Sequence, residues 1–397
     1  MTISRKMAEF LNRASWIRKM FEEGARLKKE LGPENVCDFS LGNPDVAPPD
    51  KFFNALKKIS SENPTGVHGY MQNSGFDICR KEVAKQVKDF HEIEIDYKSI
   101  IMTCGAAGGL NIIFKAILDP GDEVIVPAPF FVEYGFYVDN HQGVLKTVPC
   151  KNDFNLDIDA ISNAITSNTK AVLINSPNNP SGAVYDEDTL KALSELLKTK
   201  SKENDREIYL ISDEPYRRLC FDGTRVPPIL KWYDNSIVTT SFSKDLSIPG
   251  ERIGYVALNP KASQYGNLMG AMILANRILG FVNAPALMQR VVAECLHECV
   301  DISIYQRRRD KLAEILSEAG YEFNMPKGAF YFFPKTPIKD DKKFVDILRK
   351  EHILVVPGSG FGAPGYMRIA FCVSDDVIER SRDGFKRAID KAKELSD

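Results

Sequence analysis

The sequence predicts an α/β protein: a large domain with a mainly parallel sheet flanked by helices, and a smaller α+β domain formed by both termini. Three observations predict it. Between residues 99 and 260, short apolar, β-branched runs alternate with helix-length segments, the pattern of strands buried on both faces with helices crossing between them. Several of those runs end in Gly, Pro, Asn or acidic residues, and in such sheets binding sites lie at the carboxyl ends of the strands. At 397 residues the chain also exceeds what one hydrophobic core usually organises, so two domains are expected.

In chain order, residues 4–30 carry Met7, Phe10, Leu11, Ala14, Ile17, Met20 and Phe21 at i, i+3, i+4 spacing, which predicts a helix. The run from Asp38 to Pro44 ends a short strand in a Gly and Pro turn. A helix follows around 50–59, and the loop from Gly69 to Gly75 opens a polar helix over 76–90. Strands are then expected at 100–103, 123–126, 144–148, 171–174, 208–211, 236–240 and 253–258. Helices at 107–118, 131–139, from about 157, and 186–199 alternate with them. The polar run 198–207 reads as a solvated helix end and loop. Helices dominate 262–318, and strands near 330, 353 and 368 close an α+β tail. The expected division is 1–45 for an N-terminal arm and part of the small domain, 46–287 for the large domain and 288–397 for the C-terminal small domain.

Lys plus Arg total 52 against 54 acids, a formal net charge of -2, so no overall field favours nucleic acid or an anionic membrane. Hydrophobic residues at 44% and charged ones at 27% are the balance of an ordinary soluble globular protein. Residues 1–17 carry Arg5, Lys6, Glu9 and Arg13 among their apolar positions, which reads as neither signal peptide nor membrane span, and a cytoplasmic protein is expected. Among scattered cysteines only Cys295 and Cys299, with His297 between them, stand at helical spacing. Without a second ligand cluster they read as core residues, so free thiols and no metal are expected.

The chemistry gathers where strands end. Between the strands at 236–240 and 253–258 runs Ser241-Phe242-Ser243-Lys244, followed by Gly250 and Arg252. A lysine at a strand end can form a Schiff base with a carbonyl cofactor while two serines and an arginine hold that cofactor's phosphate. The strand at 208–211 delivers Asp213-Glu214-Pro215-Tyr216, and a carboxylate after a buried strand must be paired or face a cation. The strand at 171–174 delivers Asn175 to Gly182, a turn with two prolines. The strand at 100–103 delivers Cys104 to Leu110, small residues at a helix start whose free N–H groups suit an anion. The strand at 123–126 delivers Pro127 to Phe131, a flat apolar surface. Each segment alone is also readable as a turn, a cap or a core aromatic. Together they specify a planar, anionic, carbonyl-bearing heteroaromatic with a phosphate, which describes pyridoxal phosphate.

On these motifs the chain resembles the class I and II aminotransferases, enzymes of fold type I that use pyridoxal 5'-phosphate, from about Leu41 to Phe371. S-F-S-K-x-x-x-x-x-G-x-R-x-G-Y is the most specific run, and D-E-P-Y, N-N-P-S-G, G-A-A-G-G-L and Met367-Arg368-Ile369-Ala370-Phe371 stand in family order. The resemblance implies that Lys244 forms the Schiff base, that Asp213 pairs with the pyridine nitrogen, and that Tyr216 and Asn179 bond the ring hydroxyl. It implies that Phe131 stacks on the ring and that Gly105, Ala106, Ala107, Ser241, Ser243 and Arg252 hold the phosphate. Tyr70 would reach the phosphate from a partner subunit, which implies a homodimer with composite sites. Arg368, with Gly42 and Asn179, would clamp the substrate's α-carboxylate. Ser181 stands where many members have Thr, and Phe131 where Tyr or Trp is common.

The implied activity moves an amino group between an L-α-amino acid and a 2-oxo acid, with Lys244 carrying the proton from Cα. Elimination or decarboxylation would use the same Lys244 and Asp213, and a non-catalytic regulator could keep the fold, although no basic helix-turn-helix segment is visible. Gly358 to Ala363 fits a G-x-G-x-x-A nicotinamide fingerprint, but that requires a helix next, and Pro364-Gly365 follow. Arg277 lies six residues before Asn283 in an apolar stretch. It is a candidate for the distal carboxylate of an acidic substrate such as aspartate, or for an ordinary ion pair at a helix end or interface.

Overall fold

In a computed structural model of the protein, residues 2–12, 16–62 and 64–394 are described. The strands in chain order are β1 (Cys37–Asp38), β2 (Ile100–Thr103), β3 (Glu123–Ala128), β4 (Val144–Pro149), β5 (Thr169–Asn175), β6 (Tyr209–Asp213), β7 (Ser236–Ser241), β8 (Gly254–Leu258), β9 (Tyr331–Phe332), β10 (Ile353–Leu354), β11 (Val356–Pro357) and β12 (Met367–Ala370). Strands β2 to β8 form one sheet in the order β2-β8-β7-β6-β5-β3-β4. It is mainly parallel, as expected; β8 alone runs against both its neighbours.

The apolar runs of the sequence follow from this burial on both faces. Along β5, Ala171 and Leu173 enter one core while Val172 and Ile174 enter the other, and β6, β7 and β8 divide in the same way. The helices Gly105–Ile117 and Tyr265–Ile278 cover the first face, and Asp50–Ser61, Asp77–His91, Glu187–Glu203 and Ala286–Cys295 the second. A third core lies around the antiparallel sheet β11-β12-β9 and the helices Ile302–Ala319, Asp341–Lys350 and Arg382–Glu394. The N-terminal part joins it, because β1 pairs in parallel with β10 and Phe39 is buried there.

One expectation is adjusted. The boundary after residue 287 falls inside Ala286–Cys295, whose Met288, Val291 and Val292 pack on the large sheet, so the change of core comes beyond that helix. Over the helix expected at 4–30, the described stretches Arg5–Asn12 and Trp16–Leu31 are helical, and Ala14 lies outside the described residues. The first of these rests on the large sheet's side, Phe10 meeting Phe136 edge-on at 4.8 Å and Lys6 pairing with Asp139 at 2.6 Å. The second rests on the small one, where Lys28 pairs with Asp38 at 2.6 Å. The glycine run at 358 gives only a short 3-10 turn, Gly358–Phe361, with β12 following it, so it is no dinucleotide loop. Cys295 and Cys299 pack against two different cores. Among the described residues no helix is long and apolar enough to cross a membrane.

Candidate active site

The carboxyl ends of β2, β3, β5, β6 and β7 open onto one cavity of about 310 Å³. Because β8 runs the other way, it begins at the edge where its neighbours end, and Arg252 just before it reaches the same cavity. The loop between β7 and β8 brings Ser241, Ser243 and Lys244 to the same wall.

β6 ends in two acids, and they face apart. Asp213 lines the cavity, while Glu214 pairs away from it with Arg217 at 2.8 Å. Asp213 is 5% exposed; its Oδ2 accepts the Tyr134 hydroxyl at 2.6 Å, and its Oδ1 is buried with no partner. Burial pushes the carboxyl up to about 7, against the hydrogen bond from Tyr134. Asn175, at the end of β5, ties the neighbouring segments together: its Nδ2 donates to the Asp213 carbonyl at 2.8 Å, and its Oδ1 accepts the Asn179 amide at 2.7 Å.

Lys244 donates from Nζ to the Gly42 carbonyl at 2.8 Å, and burial pushes its amine down to about 8. Gly105 has φ +71°, and a Cβ built there would lie 2.7 Å from an Arg252 guanidinium nitrogen, so backbone and cation meet at a distance only glycine allows. The helix Gly105–Ile117 starts from Cys104 with no side-chain cap, as do Asp50–Ser61, Asp77–His91, Tyr265–Ile278 and Ala286–Cys295 from their own first residues, but its first turn is the one that meets the cavity. Its first N–H groups are left for another partner beside the Ala106 and Ala107 that line the cavity. Arg368, 2% exposed, donates to Asn179 Oδ1 at 3.1 Å and to the Ser40 carbonyl at 2.7 Å; its Nε is buried with no partner.

Three orphaned features thus share one cavity: a carboxylate oxygen, a guanidinium N–H and an uncapped helix start. The sequence matches the family described as aminotransferase class I and II over residues 34–384. The chain belongs to that family. It is 30% identical to the probable aspartate aminotransferase of Methanocaldococcus jannaschii over 88% of this chain and 92% of that relative. Among solved structures, an amino transferase from Eubacterium rectale has a TM-score of 0.95 at 39% identity, with 99% of both chains covered. The aspartate aminotransferase of Thermus thermophilus, solved with maleate, has a TM-score of 0.86 at 27% identity, covering 98% of this chain and 100% of that one.

This aminotransferase uses pyridoxal phosphate. The residues present fit that cofactor: an unpaired acid suits a pyridinium nitrogen, the uncapped helix and Arg252 suit a phosphate, and a buried amine with a lowered pKa suits a carbonyl carbon. Of the residues named from sequence, Gly42, Ala106, Ala107, Phe131, Asn179, Asp213, Tyr216, Ser241, Ser243, Lys244, Arg252 and Arg368 line the cavity, and Gly105 abuts Arg252. Tyr70 does not line it; it is 94% exposed. Arg277 is exposed at the end of Tyr265–Ile278 and has no ion-pair partner among the described residues. Sequence reasoning missed Tyr134, Asn175 and Tyr331. The first had a usable signal, since it stands three residues past Phe131, about one helical turn on.

Proposed function

We propose that the chain transfers an amino group from an L-α-amino acid to a 2-oxo acid, with aspartate among its donors. The observation that carries the assignment of roles is the unpartnered Asp213 Oδ1 in the cavity that also holds Lys244. When bound, the cofactor supplies an electron sink for the carbanion left at the substrate's Cα. Asp213 holds the proton on the ring nitrogen, its pairing with that cation offsetting the cost of burying its own charge. Tyr216 and Asn179 bond the ring hydroxyl, and Phe131 covers a ring face. Ser241, Ser243, Arg252 and the amides at Gly105, Ala106 and Ala107 hold the phosphate. Arg368 meets the α-carboxylate with its free Nε–H and the remaining N–H of its fork, which fixes the Cα–H bond toward Lys244. With a pKa of about 8, the Lys244 amine is partly deprotonated near neutral pH, so it can take that proton from Cα and return it two atoms away, on the carbon beyond the substrate nitrogen.

The active form is a homodimer with composite sites. The loop carrying Tyr70 is tied to the segment carrying Arg277: Asn276 donates to the Asn73 carbonyl at 2.7 Å, Asn73 to Val282 at 2.9 Å, and Asn283 to Gln72 at 2.8 Å. Tyr70, Arg277, Leu274 and Ile278 are all exposed on these two segments, in keeping with a face that a second copy covers. On that arrangement the partner subunit's Tyr70 reaches the phosphate and the partner subunit's Arg277 meets the distal carboxylate of aspartate. The relatives named as aspartate aminotransferases favour this donor. The eight free cysteines are in keeping with a reducing cytoplasm.

Borohydride reduction of the holoenzyme should fix the cofactor to Lys244 alone, and Lys244→Ala should abolish the adduct and lower turnover by several orders of magnitude. An adduct on another lysine would sink the assignment. A panel of amino donors with 2-oxoglutarate, read by absorbance in half-reactions, tests the choice of aspartate.

A further inference from the structure

Tyr331 sits at a junction that no role described so far requires. It lies on β9, paired with the strand that carries Arg368, and is 2% exposed. Its hydroxyl is 2.8 Å from the Tyr216 hydroxyl, and among the described residues this is its only hydrogen bond. Its ring lies 4.7 Å from the Arg368 guanidinium carbon, with Phe361 at 4.8 Å. A Cβ at Gly42 would come within 2.0 Å of its hydroxyl oxygen, so the residue that accepts the Lys244 amine is glycine because Tyr331 occupies the space. One small-domain side chain therefore touches three groups of the site.

We propose that Tyr331 is a positioning residue that aims the Tyr216 hydroxyl at the cofactor's ring oxygen and backs the Arg368 guanidinium for the substrate carboxylate. The first part follows from proton counting. Each tyrosine hydroxyl carries a single proton. If Tyr216 gave its proton to Tyr331, none would be left for a ring oxygen. If Tyr331 donates to Tyr216, the Tyr216 proton is free, and its hydroxyl, now an acceptor as well, is the stronger donor. Among the described residues Tyr331 has no other acceptor, so the second arrangement is the one a negatively charged ring oxygen selects. The second part rests on the ring against the guanidinium, a contact that hydroxyl removal leaves intact.

The proposal rests on Tyr216 bonding the ring oxygen, and the test separates the two. Holoenzymes of wild type, Tyr331→Phe, Tyr216→Phe and the double variant are titrated with pH while the cofactor absorbance is followed. A donor to the ring oxygen stabilises the form that has lost its proton, so weakening it raises the midpoint. Tyr331→Phe should raise it by roughly half a pH unit, Tyr216→Phe by more, and the double variant by no more than Tyr216→Phe alone. Maleate binding, read by the same absorbance, should stay within about twofold in Tyr331→Phe and weaken roughly threefold to thirtyfold in Tyr331→Leu. No midpoint change in Tyr331→Phe, or a change that adds in full to that of Tyr216→Phe, overturns the aiming role. Unchanged maleate affinity in Tyr331→Leu overturns the backing role. No change in Tyr216→Phe overturns the Tyr216 assignment and the aiming role with it.

Discussion

Asp213→Asn should make the cofactor-free protein more stable and the cofactor-bound protein weaker, and the first half can be worked from the site. The carboxyl of Asp213 stands at about 7 when folded, against an ordinary value of 3.8, because burial penalises its charge. A raised pKa means that the folded state holds its proton longer than the unfolded one. Stability is therefore fully present below about pH 4 and is lost as pH rises toward about 7. Three pH units at about 1.4 kcal/mol each amount to roughly 4 kcal/mol across the whole window. An asparagine keeps the acceptor for the Tyr134 hydroxyl and never ionises, so it escapes this loss. Between pH 5.5 and pH 8 about half of the window is crossed, and the advantage of the variant over wild type should grow by roughly 2 kcal/mol. The assay is urea unfolding of both apoproteins at the two pH values and at one protomer concentration, so that assembly does not enter the comparison. Added pyridoxal phosphate should reverse the order at pH 8, since only the carboxylate gains from a pyridinium partner. An advantage that does not change between pH 5.5 and 8 would refute the reasoning, because it would mean that Asp213 carries no charge cost in that range.

Tyr134→Phe removes the hydrogen bond at 2.6 Å that favours the charged form of Asp213, so cofactor affinity at pH 8, measured by equilibrium dialysis, should fall roughly tenfold to a hundredfold. Arg277→Gln should lower kcat/KM for aspartate by about ten- to a hundredfold and leave alanine unchanged; an equal fall for both, or none for either, returns Arg277 to a structural role.

The large sheet was legible because its strands are covered on both faces. A run such as Ala171 to Ile174 has no polar side to confuse with a loop, and helices of ordinary length separate the runs. The strand order was not legible. That β8 returns antiparallel between β2 and β7 depends on pairing across about 150 residues of chain, and a local pattern carries no such information. The cavity-lining loops were legible because the rule that sites lie at strand ends converts a list of turns into one place. What escaped were side chains whose function is direction. Tyr331 stands in the run Phe330 to Phe333, four consecutive aromatics, and only the pairing of β9 with β12 decides which ring faces Arg368. Tyr134 reads as one more aromatic on a short helix until its hydroxyl is seen on Asp213. The boundary expected at 287 was misjudged for a related reason: Ala286–Cys295 is amphipathic either way, and its apolar face meets the large sheet rather than the terminal core.

The charges around the cavity bind the question of substrate to the question of assembly. The cations lining it are Lys244, Arg252 and Arg368. On the roles proposed above, the first takes the carbonyl carbon and the Cα proton, the second the phosphate, and the third the α-carboxylate. None is left for a second carboxylate, and a carboxylate drawn into a site of this depth without a cation bears an uncompensated desolvation cost. From its own residues the chain would therefore favour a neutral amino acid. Arg277 changes that balance only from another copy, since within its own chain it stands exposed on the segment that is tied to the loop of Tyr70. Those hydrogen bonds join the two segments into one surface, so a partner positioned to place Tyr70 over the phosphate positions Arg277 as well. A preference for acidic substrates would then be a property of the dimer interface, set by how the segment 276–283 seats against its neighbour, while the chemistry at Lys244 stays the same for every donor.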